Sequence, residues 1–374
     1  MTSRERLLTA IERKKPDHLP ATVHSWMQYF LDHYLGGVDQ YEAYELMGLD
    51  MVIYDASFKK GHGGGMFWQN KQMMETKEWK IRRWDSAGKN GNMLSRVEIE
   101  TPKKTFTMAL ESNEITTWIT EHLLKDKEDI YILGEYMPYP EIDVGAVNRL
   151  AERIGDRGIL RHHVYGYGQP GCWQDACCFY GTTNMIYAAH DNPAWVHDFL
   201  SMLLKKKLAW VEKLEGVRFD LMELGGGDAS DTVISPKLFE EFVLPYDRQI
   251  VQALHAVGLR CVYHTCGGMM HILDQIKSTG ADGSETLTPP GMGGNARLDV
   301  IKDKLGKSMF LQGGFDQLHG FVSCPPEKTK RMVFECFEKA GGDGGYIICP
   351  SDHFFDAGLE NVRAFAEAAK ECVY

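Results

Sequence analysis

The residues of this 374-residue chain with the sharpest chemical meaning are His264 and Cys266, in the run Val262-Tyr263-His264-Thr265-Cys266-Gly267-Gly268. Residues two apart on a strand face the same way, so an imidazole nitrogen and a thiolate there can hold one zinc ion at about 2.0–2.3 Å. A zinc site needs at least one more protein ligand. Cys349, which closes the run Gly344-Gly345-Tyr346-Ile347-Ile348-Cys349, can supply it. Glu223, followed by Leu224 and three glycines, can fill the remaining tetrahedral position or act as a base on substrate. Against this stands the plainer reading that a His-x-Cys pair is short enough to arise by chance and that a cysteine is often a small buried apolar residue.

These side chains converge only if the elements carrying them share one open end. Runs of β-branched and aromatic residues bounded by Gly, Asp or Pro predict strands at about 19–24, 51–54, 159–165, 219–224, 259–264, 281–286, 309–313 and 345–349. Helical stretches lie between them at 192–215, 236–257 and 326–340, with Ser235-Pro236 and Cys324-Pro325-Pro326 as starts. Eight strands with helical crossovers predict an α/β fold, a (β/α)8 TIM barrel, as one domain over residues 1–374. Chemistry in such a barrel belongs at the C-terminal strand ends. His24, Asp55, Tyr165, Glu285 and Asp316 therefore join the candidates, as substrate-positioning residues. Residues 78–110 break the alternation around Asp85-Ser86-Ala87-Gly88-Lys89-Asn90-Gly91, which predicts an inserted antiparallel hairpin after the second strand.

Other patterns carry less. Gly166-Tyr167-Gly168-Gln169-Pro170-Gly171 fits Gly-x-Gly-x-x-Gly, but its proline and the lack of an acidic strand end some 20 residues on leave a dinucleotide fingerprint incomplete. Cys172, Cys177 and Cys178 match no usual zinc or redox spacing and read as packing. His162 and His163 face opposite ways on a strand, so at most one enters the lumen. Trp26-Met27-Gln28-Tyr29-Phe30 and Met66-Phe67-Trp68 read as core or as the wall of an apolar pocket.

Composition narrows the partners. Apolar residues make up 44% and charged residues 25%, so a large core can be buried. Net charge is −11, from 41 basic against 52 acidic residues, which argues against nucleic acid or an anionic membrane as partner. A charged start, Met1-Thr2-Ser3-Arg4-Glu5-Arg6, and the lack of any long apolar run predict a cytoplasmic protein, in which the nine cysteines are reduced thiols.

Several segments together resemble the uroporphyrinogen decarboxylase superfamily. They are Arg4-Glu5-Arg6-Leu7-Leu8 through Lys15-Pro16-Asp17-His18-Leu19-Pro20, the stretch 234–246 with Ser235-Pro236 and Leu244-Pro245-Tyr246, the His-x-Cys-Gly-Gly run, Leu311-Gln312-Gly313-Gly314-Phe315-Asp316, and 344–349 with Glu360-Asn361-Val362. True decarboxylases of this family carry an Arg-Gln-Ala-Gly-Arg stretch after the first strand that binds substrate carboxylates. Here the region reads His24-Ser25-Trp26-Met27-Gln28-Tyr29-Phe30, without arginine. The His-x-Cys with a distant cysteine is similar to the cobalamin-dependent methyltransferase branch. That resemblance implies zinc as cofactor, a corrinoid carried by a separate partner protein, and a homodimer. The branch places its third ligand in a Gly-Cys-Gly stretch after the last strand, where this chain has Cys349-Pro350-Ser351-Asp352-His353, so His353 is the alternative to Cys349. No Asp-x-His-x-x-Gly cobalt-ligand motif occurs, and the corrinoid-binding domain is expected on another chain. The expected reaction is methyl transfer between a small methylated substrate and a Co(I) corrinoid, with O-demethylation of a methoxylated aromatic favoured. Transfer from a methylcorrinoid to a thiol is the alternative, and a decarboxylase-like lyase a third reading.

Overall fold

Alternating strands and helices assemble side by side in chain order. A computed structural model of the chain describes residues 1–60, 62 and 74–374; the Met66-Phe67-Trp68 run lies outside them. β1 (Met51–Tyr54) is followed by an insertion of four antiparallel strands, β2 (Lys80–Ala87), β3 (Met93–Glu100), β4 (Thr105–Ser112) and β5 (Thr117–Glu121). β6 (Gly158–His163), β7 (Leu221–Gly225), β8 (Cys261–His264), β9 (Gly283–Thr286), β10 (Phe310–Phe315) and β11 (Tyr346–Pro350) then continue the parallel sheet from β1 in sequence order. The stretch expected as the first strand closes the ring with a single bridge. Ala21 pairs with Ile348, Thr22 N donates to Ile348 O (3.1 Å), and Asp50 N donates to Ala21 O (2.7 Å). Pro20 has no N–H to extend that ladder.

Strand alternation splits the apolar residues into two cores. Val52, Ile159, Leu221, Val262, Phe310 and Ile347 point into the lumen and pack with Leu7, Ala10 and Ile11 of helix Ser3–Ile11. Their neighbours Ile53, Leu160, Met222, Tyr263, Leu311 and Ile348 point out, under the helices. Two residues beyond the apolar lumen layer, the same period delivers Tyr54, Arg161, Glu223, His264 and Gln312 to the open end.

The insertion is larger than a hairpin. Its first two strands occupy the expected place, but the sheet runs on to Glu121, with one face buried through Val97, Ile99, Phe106, Met108 and Leu110. The helix expected at 236–257 is broken into Pro236–Phe242 and Leu244–Ala256, because Pro245 cannot continue the hydrogen-bond ladder. The helix at 326–340 is present as Pro326–Ala340, and that at 192–215 as Pro193–Val211 with a short 3-10 turn beyond it.

The glycine-rich loop 166–171 is built on a buried ion pair. The Asp175 carboxylate accepts from the backbone N–H groups of Tyr167, Gly168 and Gln169 at 3.1, 2.6 and 3.3 Å. Lys207 Nζ pairs with it at 2.9 Å and donates to Tyr165 O and Gln169 O. A Cβ at Gly166 would lie 1.8 Å from Gln169 O. The amides that a phosphate would need already hold a carboxylate. Cys172 and Cys177 lie buried beside this loop, and burial pushes both thiols well above their usual range.

β8 is tied to its covering helix by the Tyr263 hydroxyl, which donates to Asp247 Oδ2 at 2.8 Å. Burial pushes the Asp247 carboxyl up to about 6, above the usual carboxylate range. A raised carboxyl pKa favours the fold below the unfolded value and loses that contribution as pH rises through about 6, an effect of about 2–3 kcal/mol. Asp247→Asn should therefore melt above wild type at pH 7.5, by calorimetry, and lose that advantage at pH 4; an equal difference at both pH values would contradict this account.

Candidate metal centre

The polar layer of the lumen is organised by Arg161, which is fully buried. Its Nη1 donates to Glu285 Oε2 (2.9 Å), and its Nη2 to Glu285 Oε1 (2.8 Å) and Glu223 Oε2 (2.6 Å). Gln312 Nε2 adds a bond to Glu285 Oε2 at 3.2 Å, and Tyr54 OH one to Glu223 Oε2 at 3.2 Å. Burial alone would drive Glu285 neutral. Arg161 and the neighbouring imidazoles reverse this and hold its carboxyl well below the usual range.

With Glu285 ionised, His264 Nδ1 donates to its Oε1 at 3.0 Å, which leaves His264 Nε2 facing Cys266 Sγ at 2.5 Å. A carboxylate on one ring nitrogen is how metal-binding imidazoles are oriented and made more basic. Burial opposes charge on His264, but Cys266 and Glu223 raise its pKa well above the usual imidazole range. Burial likewise raises the Cys266 thiol, against the pull of His264. Both oxygens of Glu285 are occupied by donors, whereas Glu223 Oε1 makes no hydrogen bond among the described residues and lies 3.7 Å from His264 Nδ1. His24 completes the group: it, Glu223, His264 and Glu285 each place one ligand-capable atom within 4.8 Å of the others. Burial holds His24 neutral, well below its usual pKa.

Cys266 is aimed by the glycines that follow it. Gly267 has φ +101°, and a Cβ on Gly268 would lie 1.9 Å from Asp231 Oδ1. Asp231 Oδ2 accepts from His271 N (2.7 Å), Asn295 Oδ1 accepts from Met269 N (2.7 Å), and Asn295 Nδ2 donates to Asp231 Oδ1 (2.9 Å). The pair clamps the loop.

These groups open into a cavity of about 1080 Å³. His24, Tyr54, His163, Glu223, His264 and Cys266 line its floor, Asp352 and His353 one wall, and residues 115–117 of the insertion another. His163 donates through Nδ1 to Val164 O at 2.9 Å, whereas His162 points outward and stacks on Phe219. His353 Nδ1 lies 3.2 Å from Ser25 Oγ, and its ring is 4.8 Å from that of His24.

The strand-end candidates separate in this geometry. Glu223, His264, Cys266, His24 and Glu285 come together, Glu285 as the anchor of His264. Cys349, opposite Gly314 in β11, is 2% exposed, lies off the cavity lining, and has its thiol pushed up by burial. Of the five substrate candidates His24 lines the cavity and Glu285 lies buried behind His264, whereas the other three do neither. Asp55 is exposed and accepts from Ala56 N, Tyr165 OH donates to Pro138 O, and Asp316 caps helix Gln317–Phe321. The end of a strand is a place in the chain, and the side chain's parity and the loop beyond decide what it reaches. Arg161 and Tyr54 escaped the sequence reading. The alternation that sends His163 inward also sends Arg161, two residues earlier, to the centre of the lumen.

An imidazole nitrogen and a sulfur facing each other, with the imidazole's other nitrogen held by a carboxylate, are a donor set that fits zinc. The Arg161 cation occupies the carboxylate side, so the fit lies on the Cys266 face of His264. Arg161→Met would leave two buried carboxylates without a counter-charge. The expected cost is about 3–5 kcal/mol, read as a lowered melting temperature; an unchanged melting temperature would contradict the network as drawn.

Comparison with known proteins agrees with this architecture. Residues 168–372 match the family described as uroporphyrinogen decarboxylase (URO-D). Over 191 residues the chain is 25% identical to a methylated-thiol–coenzyme M methyltransferase of Methanosarcina mazei, covering 51% of this chain and 48% of that one. Over 251 residues it is 26% identical to a uroporphyrinogen decarboxylase of Geobacter sulfurreducens, covering 64% and 68%. The first alignment thus spans about half the length of its relative. Among solved structures, a methyltransferase from Methanosarcina mazei shares the fold, with TM-score 0.64 at 15% identity over 99% of each chain. The family match takes in more than half of the sequence, including Glu223, His264, Cys266 and Glu285, and the chain belongs to the uroporphyrinogen decarboxylase (URO-D) family.

Proposed function

We propose that the chain is a zinc-dependent methyltransferase that moves a methyl group between a thiol and a corrinoid carried by a separate protein. The observation that carries the reading is His264 Nε2 facing Cys266 Sγ at 2.5 Å while Nδ1 is anchored on Glu285. His264, Cys266 and His353 would hold the metal, with Glu223 Oε1 as the adjacent open oxygen. His353 is preferred to Cys349 because it lines the cavity with the other two. Zinc, when bound, supplies the Lewis acidity that keeps a thiol ionised near neutral pH.

The protein's own groups do the rest. Arg161 keeps Glu285 ionised, and Glu285 keeps the His264 Nδ1 proton in place, so that Nε2 stays available. Glu223 Oε1 is placed to accept the proton that the thiol loses. The sulfur–carbon bond then forms as the carbon–cobalt bond breaks, with the electron pair left on cobalt. The cavity must admit the corrinoid of the partner chain, and a homodimer belongs to the same proposal.

Two observations favour a thiol over the other substrates. The methylated-thiol relative supports it over a methoxylated aromatic. A decarboxylase acting on a polycarboxylate needs cations in its pocket. Among the described residues lining this one there is no Arg or Lys, and Arg161 is committed to Glu223 and Glu285.

The test is zinc content with methyl transfer from methylcobalamin to 2-mercaptoethanol. Wild type should carry about one zinc per chain, lost in Cys266→Ala and His353→Ala and kept in Cys349→Ala, and transfer should fall at least about 100-fold in the first two. Full zinc in Cys266→Ala, or no zinc in wild type after reconstitution, would overturn the proposal.

A further inference from the structure

The backbone of the glycine-rich loop 166–171 is engaged by the Asp175–Lys207 pair, but one of its side chains reaches the cavity. Gln169 is pinned at both main-chain groups: its N–H donates to Asp175 Oδ1 at 3.3 Å, and its C=O accepts from Lys207 Nζ at 3.1 Å. Its side-chain amide lines the cavity and makes no hydrogen bond among the described residues. The bare backbone of Gly226 and Gly227 runs from this amide to Cys266. The Cβ that Gly226 lacks would stand 3.1 Å from Gln169 Oε1, and the Cβ that Gly227 lacks would stand 3.6 Å from Cys266 Cβ.

His163 presents a second unfilled group. It closes β6 opposite Glu223 of β7 and is 7% exposed at the cavity lining. Its Nδ1 contacts Val164 O at 2.9 Å, and because a carbonyl can only accept, that nitrogen carries a proton. Nε2 is then the ring's one remaining hydrogen-bonding atom, and it has no partner among the described residues. A polar group left unpaired at a buried position is costly, so both side chains call for a ligand group that pairs with them. A hydroxyl donates and accepts; it satisfies Nε2 whether or not that nitrogen carries a proton, and it satisfies the amide as well. A carboxylate or sulfonate would lack a counter-charge, since no Arg or Lys among the described residues lines the cavity.

We infer that His163 Nε2 and the Gln169 amide form the subsite for an uncharged hydroxyl tail on the thiol, and thereby set which thiols the protein accepts. The inference rests on the thiol reading and deepens it. The probes are 2-mercaptoethanol and 1-propanethiol, which differ by a hydroxyl in place of a methyl group. The kcat/KM for methyl transfer from methylcobalamin is measured with each on the zinc-loaded full chain, in wild type, Gln169→Leu and His163→Phe. Differences in the intrinsic reactivity of the two thiols are common to every variant and cancel in the change of ratio. A variant that only damages the fold slows both thiols alike.

The ratio of kcat/KM for 2-mercaptoethanol over 1-propanethiol should fall at least about tenfold from wild type in Gln169→Leu and in His163→Phe, because a site that pairs a hydroxyl discriminates against a methyl group. A ratio that stays at the wild-type value in either variant would overturn the inference while leaving methyl transfer to thiols intact. Absence of transfer to both thiols in wild type would overturn the thiol reading and this inference with it.

Discussion

One buried cation sets the chemistry of the barrel's open end. Arg161 lies below the cavity with three hydrogen bonds to two carboxylates. Two acids so close in a low-dielectric lumen would otherwise share a proton or force each other apart. With the guanidinium between them, Glu285 is ionised and accepts from His264, and the imidazole turns its other nitrogen to Cys266. Remove the cation and the carboxylates lose their reason to stay charged, the imidazole its fixed tautomer, and the sulfur its partner. The ion cluster costs desolvation, so it is weak evidence of stability. Its value is that it specifies one arrangement of the side chains above it.

The rest of the fold serves this placement. An apolar layer fills the lumen beneath the ion cluster and is closed off by helix Ser3–Ile11. The Asp231–Asn295 clamp bends the loop after β8 so that Cys266 faces back towards His264; Gly267 supplies the positive φ, and Gly268 stands where no side chain fits between the clamp and the backbone. The inserted sheet brings residues 115–117 over the cavity. The facing His264 and Cys266 side chains and the cavity into which they open thus lie on one side of Arg161.

Much of this was legible in the sequence. Seven strands lie within about two residues of their expected positions, because each is a short buried run between turn-forming residues. The eighth shrank to one bridge because a proline removes a donor, which a propensity reading underweights. The insertion's full extent was hidden because its last strand, β5, is five residues long and largely exposed, and reads as polar chain. In the site, His264, Cys266 and Glu223 were legible from spacing. Arg161 was not, since an arginine within a strand looks like a surface residue until the parity of its neighbours is followed. Cys349, two residues beyond Ile347, faces the lumen beside Glu285 and Arg161 beneath the cavity, whereas the turn after β11 carries His353 to the cavity lining, and no pattern in Cys349-Pro350-Ser351-Asp352-His353 encodes that turn.

The central claim is that a metal binds on the sulfur side of His264 and not among the carboxylates around Arg161. X-ray absorption at the zinc edge of the zinc-loaded chain tests it most directly, because sulfur and nitrogen or oxygen neighbours differ in distance. The account predicts one sulfur at about 2.3 Å, with nitrogen or oxygen neighbours at about 2.0–2.1 Å. A shell of nitrogen and oxygen alone would place the ion among His24, Glu223 and Glu285 and contradict it.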